Sequence, residues 1–450
     1  MTPSTGSTLS DSALAICIFS ILLVPFALAG LSLINAGLGR SRSAAHSMMA
    51  SVCVITVAAL VYFACGFAWQ GFRGQPAHLL TVGGRQWNWI AAQAFFFRGL
   101  KLDGSPASLS AWLQMLSVGL AALIPLGSGA DRWRLSASCL STALLAGSTY
   151  PLFAHWVWGG GWLAQLGINY GLGHGFVDAG GSSSIHALGG LTALAMVWIL
   201  GPRRGKYSMD GMPTAIPGHN AVFVLFGCLL ALVGWLGLNC AGAILFTGVE
   251  AGRVVLIAVN TTLAAASAAL MAAAITRFRF GKPDASLSAN GWVSGLVACS
   301  AACVFINPAA AALIGLAAGA LVTFTIELLE LRLAVDDPGG AISVHAVAGC
   351  WGVLALGLFA RFPDSAQTAA GNSRLGPGGT DTGQWMAQLV GIATLLGFVL
   401  PLTYSLNWLL NRFYTQRVAP EGERQGMDLY ELGAGAYPEF MTYTDGFTQR

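Results

Sequence analysis

The ten residues DAGGSSSIHA at 178–187 recur with the same spacing as DPGGAISVHA at 337–346. Both copies read D-x-G-G-x-x-S-[IV]-H-A, and each copy opens a long apolar stretch of the chain. The first copy opens the fifth such stretch and the second copy opens the tenth. The second half of the chain should therefore enter an apolar layer in the opposite direction to the first, which is the sequence pattern of an inverted-topology repeat.

The composition indicates that lipid is the solvent of this chain. Of its 450 residues, 55% are hydrophobic and only 9% are charged, whereas soluble domains carry about 25% charged residues. The formal net charge of +3 gives no reason to expect a nucleic acid partner. The nine cysteines lie in or beside apolar stretches without metal-type spacing. They are interpreted as small buried hydrophobic residues, and neither a metal nor a cofactor is expected.

Eleven apolar stretches are long enough to cross a bilayer, so the fold class predicted is an all-α membrane protein with eleven transmembrane helices. Ten of them form a 5+5 inverted repeat and one is additional. The predicted stretches are 12–38, 45–71, 109–128, 135–154, 181–200, 219–240, 253–276, 286–305, 308–330, 340–360 and 386–411.

The chain divides into a transmembrane domain at 1–411, with repeats at about 12–200 and 219–360, and a tail at 412–450. Most of the 22 Lys and Arg residues fall in segments that share one side of the membrane. Cytoplasmic loops carry such an excess, so the N-terminus is predicted outside and the tail in the cytoplasm. Residues 1–11 lack the Lys or Arg of a signal peptide, and the first stretch is interpreted as a span.

His186 and His345 are predicted to meet near the middle of the membrane. Each lies eight residues beyond the Asp that opens its copy, which is about 12 Å along a helix. The hydrocarbon core is about 30 Å thick, so the two residues approach its centre from opposite faces. Ionisable residues at this depth are usually functional. A facing pair of imidazoles can relay a proton or bond a small polar solute, and the alternative is two packed histidines bonded to backbone carbonyls.

Three further residues stand at the ends of spans. Asp178 and Asp337 each precede a span, where a carboxylate caps the helix and offsets its dipole. Asp337 is interpreted as structural, and Asp178 has the alternative of binding a cation outside. Trp158, followed by three glycines, belongs either to the aromatic belt of the interface or to a site that presents a ring to a cation.

Several motifs resemble those of the ammonium transporter (Amt/Mep/Rh) family, in the family's order and over nearly the whole chain. They are His155–Gly161 with the sequence HWVWGGG, the block at 178–186, Gly234–Asn239, Val335–Pro338, Val344–Ala346 and the tail segments 426–429 and 435–437. The resemblance implies a homotrimer with one pore per subunit and a PII-type regulator at the cytoplasmic face.

The resemblance also implies roles for single residues. Ammonium would be recruited at the outer face by Trp158 and Asp178, with Ser117 and Trp235 near the same entrance. It would lose its proton before it passes the histidine pair. No nucleophile–base or metal-binding pattern accompanies these residues, so an enzyme is not expected.

The entrance departs from the family pattern. Two phenylalanines usually close the pore above the histidines, and alignment places Ser117 and Leu238 at these positions. The usual serine hydroxyl of the entrance is replaced by Gly242, and a flanking aromatic residue by Leu113. The resemblance therefore implies an entrance with fewer aromatic rings.

The sequence thus predicts a protein of the cell (inner) membrane that transports ammonium or ammonia through a twin-histidine pore. Two alternatives stay open at this point. The same scaffold could conduct another small amine or a neutral gas, or the protein could be a sensor that binds ammonium with little flux.

Overall fold

The computed structural model describes residues 9–362 and 382–437, and these residues form eleven long helices. Nine of the helices are long and apolar enough to cross a membrane. The other two occupy predicted spans, but α8 has only 16 residues and α4 is rich in Ser and Thr. The helices are α1 Asp11–Leu38, α2 Ser41–Gln70, α3 Pro106–Gly129, α4 135–157, α5 Ser182–Leu200, α6 Ala221–Thr247, α7 Ala251–Phe280, α8 Ala285–Ser300, α9 Pro308–Leu331, α10 Ile342–Phe359 and α11 Gln384–Phe413.

The prediction of an all-α membrane protein is confirmed, while the count of eleven spans stays a prediction. The two halves of the described bundle pack alike. Helix α2 packs on α3 and α4 as α7 packs on α8 and α9, and α3 packs on α5 as α8 packs on α10. Helices α1 and α6, the first of each half, pack against each other. This correspondence is the arrangement that an inverted repeat of five helices produces.

The helices that carry the two histidines cross at a reciprocal pair of glycines. Gly190 and Gly349 each lie four residues beyond the histidine of their own helix. A Cβ atom on Gly190 would lie 2.2 Å from the backbone nitrogen of Ala346, and one on Gly349 would lie 2.5 Å from the carbonyl oxygen of Ser182. Backbone therefore lies against backbone on both sides of the crossing. Small residues permit such close approach between helices in lipid.

Replacing Gly349 by alanine is expected to destabilise the protein because the added methyl group overlaps the backbone of α5. Overpacking of this kind typically costs about 1–3 kcal/mol. Thermal unfolding in detergent should show a lower midpoint for Gly349→Ala and Gly190→Ala. The matched control is Gly397→Ala, where a Cβ atom meets nothing within 4 Å. Equal midpoints for all three variants would contradict the close crossing.

A β-hairpin lies between α2 and α3, in the segment that separates the predicted stretches 45–71 and 109–128. Strands β1 (Ala77–Val82) and β2 (Arg85–Ala91) pair antiparallel. Strand β2 packs on the end of α4: the indole Nε1 of Trp156 donates to the carbonyl oxygen of Trp89 at 2.8 Å, and His155 Nε2 lies 2.9 Å from Asn88 Oδ1. The hairpin thus covers the end of α4 that precedes Trp158.

The segment after α11 folds back onto the ends of the helices. The carboxylate of Asp428 accepts from the backbone N–H of His46 at 2.7 Å, near the start of α2. Glu431 accepts from the backbone N–H of Leu135 at 2.8 Å, at the start of α4, and pairs with His46 Nε2 at 2.8 Å. Two acidic side chains of the tail therefore cap two helices, where a negative charge also offsets the helix dipole.

The docked tail should loosen in acid. Burial raises the pKa of Glu431, but hydrogen bonds from His46 and Leu135 lower it by a larger amount. The net pKa therefore lies below the ordinary 4.5. A carboxylate with a lowered pKa stabilises the folded state above its ordinary pKa, and this stabilisation is lost as the pH falls through the folded value. The protection factors of the backbone amides of 414–437, which correct for the pH dependence of intrinsic exchange, should fall as the pH falls below about 4.5, and Glu431→Gln should weaken that dependence. An unchanged pH profile in Glu431→Gln would contradict this role.

Candidate functional site

The rings of His186 and His345 lie side by side in the buried centre of the bundle. Their centroids are 5.3 Å apart and their planes differ by 25°. Each residue lies in a single wide π-helical turn that begins its helix, Ser182–Ala187 in α5 and Ile342–Val347 in α10. Such turns are rare and are frequent at functional sites. The repeat of the sequence is therefore matched by a repeat of local structure.

Trp235 lies against this pair. Its ring stacks on that of His186 with centroids 4.9 Å apart and planes 8° from parallel. The sequence grouped Trp235 with the recruiting residues, and that role stays a prediction. Trp235 lies 12 residues before Thr247, the end of α6, and therefore about 18 Å along the helix, more than half of the hydrocarbon thickness.

Several buried polar atoms around the pair have no hydrogen-bond partner among the described residues. They are Nδ1 and Nε2 of His186, Nδ1 of His345, Nε1 of Trp235 and Oγ of Ser343. Buried polar groups in proteins are nearly always bonded. The alternative of histidines tied to backbone carbonyls does not hold for these nitrogens. The arrangement offers both donors and acceptors to a small polar solute.

Trp158 lies at the end of α4, buried between two partners. Its Nε1 donates to the backbone oxygen of Asp178 at 2.7 Å, and its ring stacks on Phe246 with centroids 4.5 Å apart and planes 13° from parallel. Sequence reasoning missed Phe246. Helical spacing could have found it, because Phe246 lies eleven residues, or about three turns, beyond Trp235 and hence on the same face of α6.

Asp178 caps α5 instead of facing the entrance. Its carboxylate accepts from the backbone N–H groups of Gly181 at 2.8 Å, Ser182 at 3.0 Å, Ser183 at 2.8 Å and Ser184 at 3.1 Å. With its oxygens bonded to four N–H groups, the carboxylate fits the capping interpretation and not the cation site. Asp178 contacts Trp158 through its backbone oxygen, which accepts the indole N–H of Trp158.

Asp337 makes the matching cap on α10. It accepts from the backbone N–H groups of Ala341 at 3.1 Å and Ile342 at 2.8 Å, and from the hydroxyl of Ser128 at 2.6 Å. The second glycine of each D-x-G-G motif has a positive φ, 99° at Gly181 and 65° at Gly340. That conformation lets the chain turn back over the carboxylate and is readily adopted only by glycine. The structural interpretation of Asp337 fits this geometry.

The four residues that depart from the family pattern are buried: Leu113, Ser117, Leu238 and Gly242. The hydroxyl of Ser117 donates to the carbonyl oxygen of Leu113 in its own helix at 2.9 Å. A Cβ atom on Gly242 would lie 2.4 Å from the carbonyl oxygen of Ala179. The glycine at 242 therefore has a steric cause, the close approach of the loop before α5, which alignment alone could not show.

A cluster of buried charges precedes α10. Arg203 bridges two acids, with Nη2 3.0 Å from Asp336 Oδ1 and Nη1 3.1 Å from Asp131 Oδ2. Arg132, which is fully buried, donates to the backbone oxygen of Asp336 at 2.8 Å. Burial raises the pKa of Asp336, but Arg203 and Arg132 lower it by a larger amount. The pKa of Asp336 therefore lies below its ordinary value. The cluster adjoins Asp337 and was not identified from the sequence.

Comparison with known proteins identifies the fold and the family. A family model described as Ammonium Transporter Family matches residues 14–437. The chain is 39% identical to the ammonium transporter Amt2 of Archaeoglobus fulgidus, over 93% of this chain and 86% of that protein. It is 30% identical to an ammonium transporter of Bacillus subtilis, over 94% and 98% of the two chains.

Solved structures agree with these relatives. A structure titled "Sensor Amt Protein" superposes with a TM-score of 0.81 at 27% identity, covering 94% of this chain and 98% of that one. The crystal structure of Candida albicans Mep2, at 24% identity and a TM-score of 0.77 over 96% of this chain and 92% of that one, shares the fold. A transporter family and not an enzyme family is thus indicated, and the chain belongs to the Ammonium Transporter Family.

Proposed function

We propose that this protein carries ammonium or ammonia across the membrane through a pore centred on His186 and His345. The observation that supports this most directly is the pair of facing imidazoles, with ring centroids 5.3 Å apart. Both ring nitrogens of His186 and Nδ1 of His345 have no protein partner among the described residues. Its curated relatives from Archaeoglobus fulgidus and Bacillus subtilis are named ammonium transporters.

The chemistry of the centre favours a neutral solute. Burying an uncompensated cation is far more costly than burying a neutral amine. The two aromatic rings that stack on the His186 ring are those of His345 and Trp235, neither of which is an acid. Ammonium therefore leaves its proton with water at the entrance before this point, and neutral ammonia bonds to the imidazole nitrogens. At the entrance the proposed attraction is cation–π and comes from the stacked rings of Trp158 and Phe246, typically about 0.5–2 kcal/mol.

Flux through purified protein tests this proposal. Proteoliposomes exposed to an ammonium gradient should show a change of internal pH that liposomes without protein do not show. Current recorded from the same preparation tells whether net charge moves. The absence of any protein-dependent flux would overturn transport and favour the sensor alternative. Equal flux of unrelated amines would instead favour a scaffold for other solutes.

The entrance should discriminate less well than one closed by two phenylalanines. Leu238 and Ser117 supply no ring, and Phe246 stacks on only one face of Trp158. Methylammonium should therefore compete with ammonium, and Leu238→Phe should reduce that competition by a few fold, as expected for one aromatic contact. Gly242 is unsuitable for this test because a side chain there meets Ala179. Exclusion of methylammonium by the wild type would contradict the proposal.

The assembly and its setting are part of the same proposal. We propose a homotrimer in the cell (inner) membrane, with the N-terminus outside, the tail in the cytoplasm and a PII-type regulator as a partner at that face. The excess of basic residues on the proposed inner side supports the orientation. Cross-linking in native membranes would test the trimer, and cysteine labelling of loops from either side would test the orientation.

A further inference from the structure

A second polar cluster lies between α2, α3 and α4, apart from the histidine pair. Gln114 and Tyr150 are fully buried and Ser117 is 1% exposed. The hydroxyl of Tyr150 donates to the side-chain oxygen of Gln114 and also interacts with Ser117. On the other side of Tyr150, the ring of Tyr62 lies 6.5 Å away. These groups join three helices through polar contacts inside an otherwise apolar bundle.

The cluster contains buried donors that have no hydrogen-bond partner among the described residues. The amide nitrogen of Gln114 carries two N–H donors, and neither has a partner among the described residues. The hydroxyl of Thr149, adjacent to Tyr150 in the chain, is also unpartnered. Exchanging the amide oxygen and nitrogen does not remedy this, because the oxygen would then face the same space. One more small molecule with a lone pair would complete the set.

The backbone is widened at the same place. Helix α2 has a π-helical turn at Tyr62–Gly66, and α4 has one at Leu145–Thr149. The two turns contact each other, and a Cβ atom on Gly66 would lie 2.7 Å from the carbonyl oxygen of Ala146. Two facing π turns in adjacent helices are uncommon, and π turns concentrate at functional sites.

The chemistry selects a neutral ligand of the size of water. The acid that acts electrostatically on Tyr150 is Asp178, whose oxygens are already bonded to backbone N–H groups. A cation would therefore lack a free carboxylate to pair with. We propose that Gln114, Ser117 and Tyr150 form a buried site for one water or ammonia molecule beside the entrance. The site itself does not depend on the proposed transport, whereas its effect on flux does.

High-resolution cryo-electron microscopy of the full-length protein in nanodiscs tests the site directly. Maps of the wild type are expected to show a molecule within about 3.2 Å of the Gln114 amide, and Gln114→Leu is expected to lack it. Density in ammonium-free buffer identifies water, and density only with ammonium chloride identifies ammonia. Wild-type maps without such density in both buffers, or an amide bonded to a protein carbonyl, would overturn the proposal.

Flux provides the second arm. Loss of one hydrogen bond of ordinary strength corresponds to roughly a fivefold change, so Gln114→Leu should lower flux by about that factor. Gln114→Met keeps the length of the side chain and guards against misfolding of the first variant. Lipid-facing Thr56→Val serves as the control. If the wild type has no flux, the proposed function fails while the maps still decide the site. Full flux in both Gln114 variants, together with density that persists in Gln114→Leu, would also overturn the site.

Discussion

Replacing His186 by alanine is expected to lower ammonium-driven flux by roughly 10- to 100-fold. The imidazole supplies two unpartnered nitrogens to the proposed pore, and alanine supplies none. Loss of two hydrogen bonds of about 0.5–1.5 kcal/mol each gives a change of this size. The measurement is ammonium-dependent alkalinisation of proteoliposomes at matched protein density. Size-exclusion profiles should be unchanged, because the substitution removes a local group and leaves the helix crossing intact.

The partner residue and a matched control sharpen this test. His345→Ala should have a similar effect, and the double variant should be little worse than either single one, because residues that act as a unit are not additive. Trp198 lies on the same helix as His186 and is exposed on the outside of the bundle. The control variant Trp198→Phe should therefore retain wild-type flux. Wild-type flux in both single histidine variants would show that the pair is structural only.

Replacing Asp336 by alanine is expected to cause the largest loss of stability. The substitution removes one of the two acids that pair with Arg203. It also removes Asp336 as the ion-pair partner of Arg132, at 3.5 Å, and the described residues show no other ion pair for Arg132. Breaking a buried pair in this way typically destabilises a protein by about 3–5 kcal/mol, because an uncompensated charge stays buried. Thermal unfolding of the purified protein, or its yield from membranes where it does not survive purification, measures the effect.

The matched control for this substitution is an exposed ion pair of the tail. Arg424 and Glu421 lie 2.9 Å apart, and both side chains are about two-thirds exposed. Surface pairs contribute about 0–1 kcal/mol, so Glu421→Ala should leave the unfolding midpoint almost unchanged. Similar midpoints for Asp336→Ala and Glu421→Ala would show that the buried cluster contributes no more than a surface pair.

The parts of the fold that were predictable follow from one-dimensional patterns. Helices in lipid must be long and apolar, so the predicted stretches agree with the observed helices to within a few residues at most ends. The placement of His186 beside His345 was predictable because the repeated motif gives both residues the same depth. Depth, however, contains no information about neighbours on other helices.

The features that were missed depend on such neighbours. Phe246 stacks on Trp158 across two helices, and Gly242 is required by a loop that precedes α5. The charges of Arg203 and Asp336 lie 133 positions apart in the chain and pair only after folding. The hairpin was hidden because both strands are short and β1 is almost wholly exposed, without the alternation that identifies a half-buried strand. Long-range packing decides each of these features.

The reciprocal glycines have a kinetic consequence. Transporters built from inverted repeats often work by alternating access, in which one repeat rocks against the other. Such domain motions take microseconds to milliseconds. At Gly190 and Gly349 the two repeats touch through backbone atoms, so rocking would first have to pull a tightly packed crossing apart. The proposed pore, fixed by this close crossing, should not change shape during transport. The activation enthalpy of permeation should therefore be close to that of diffusion in water.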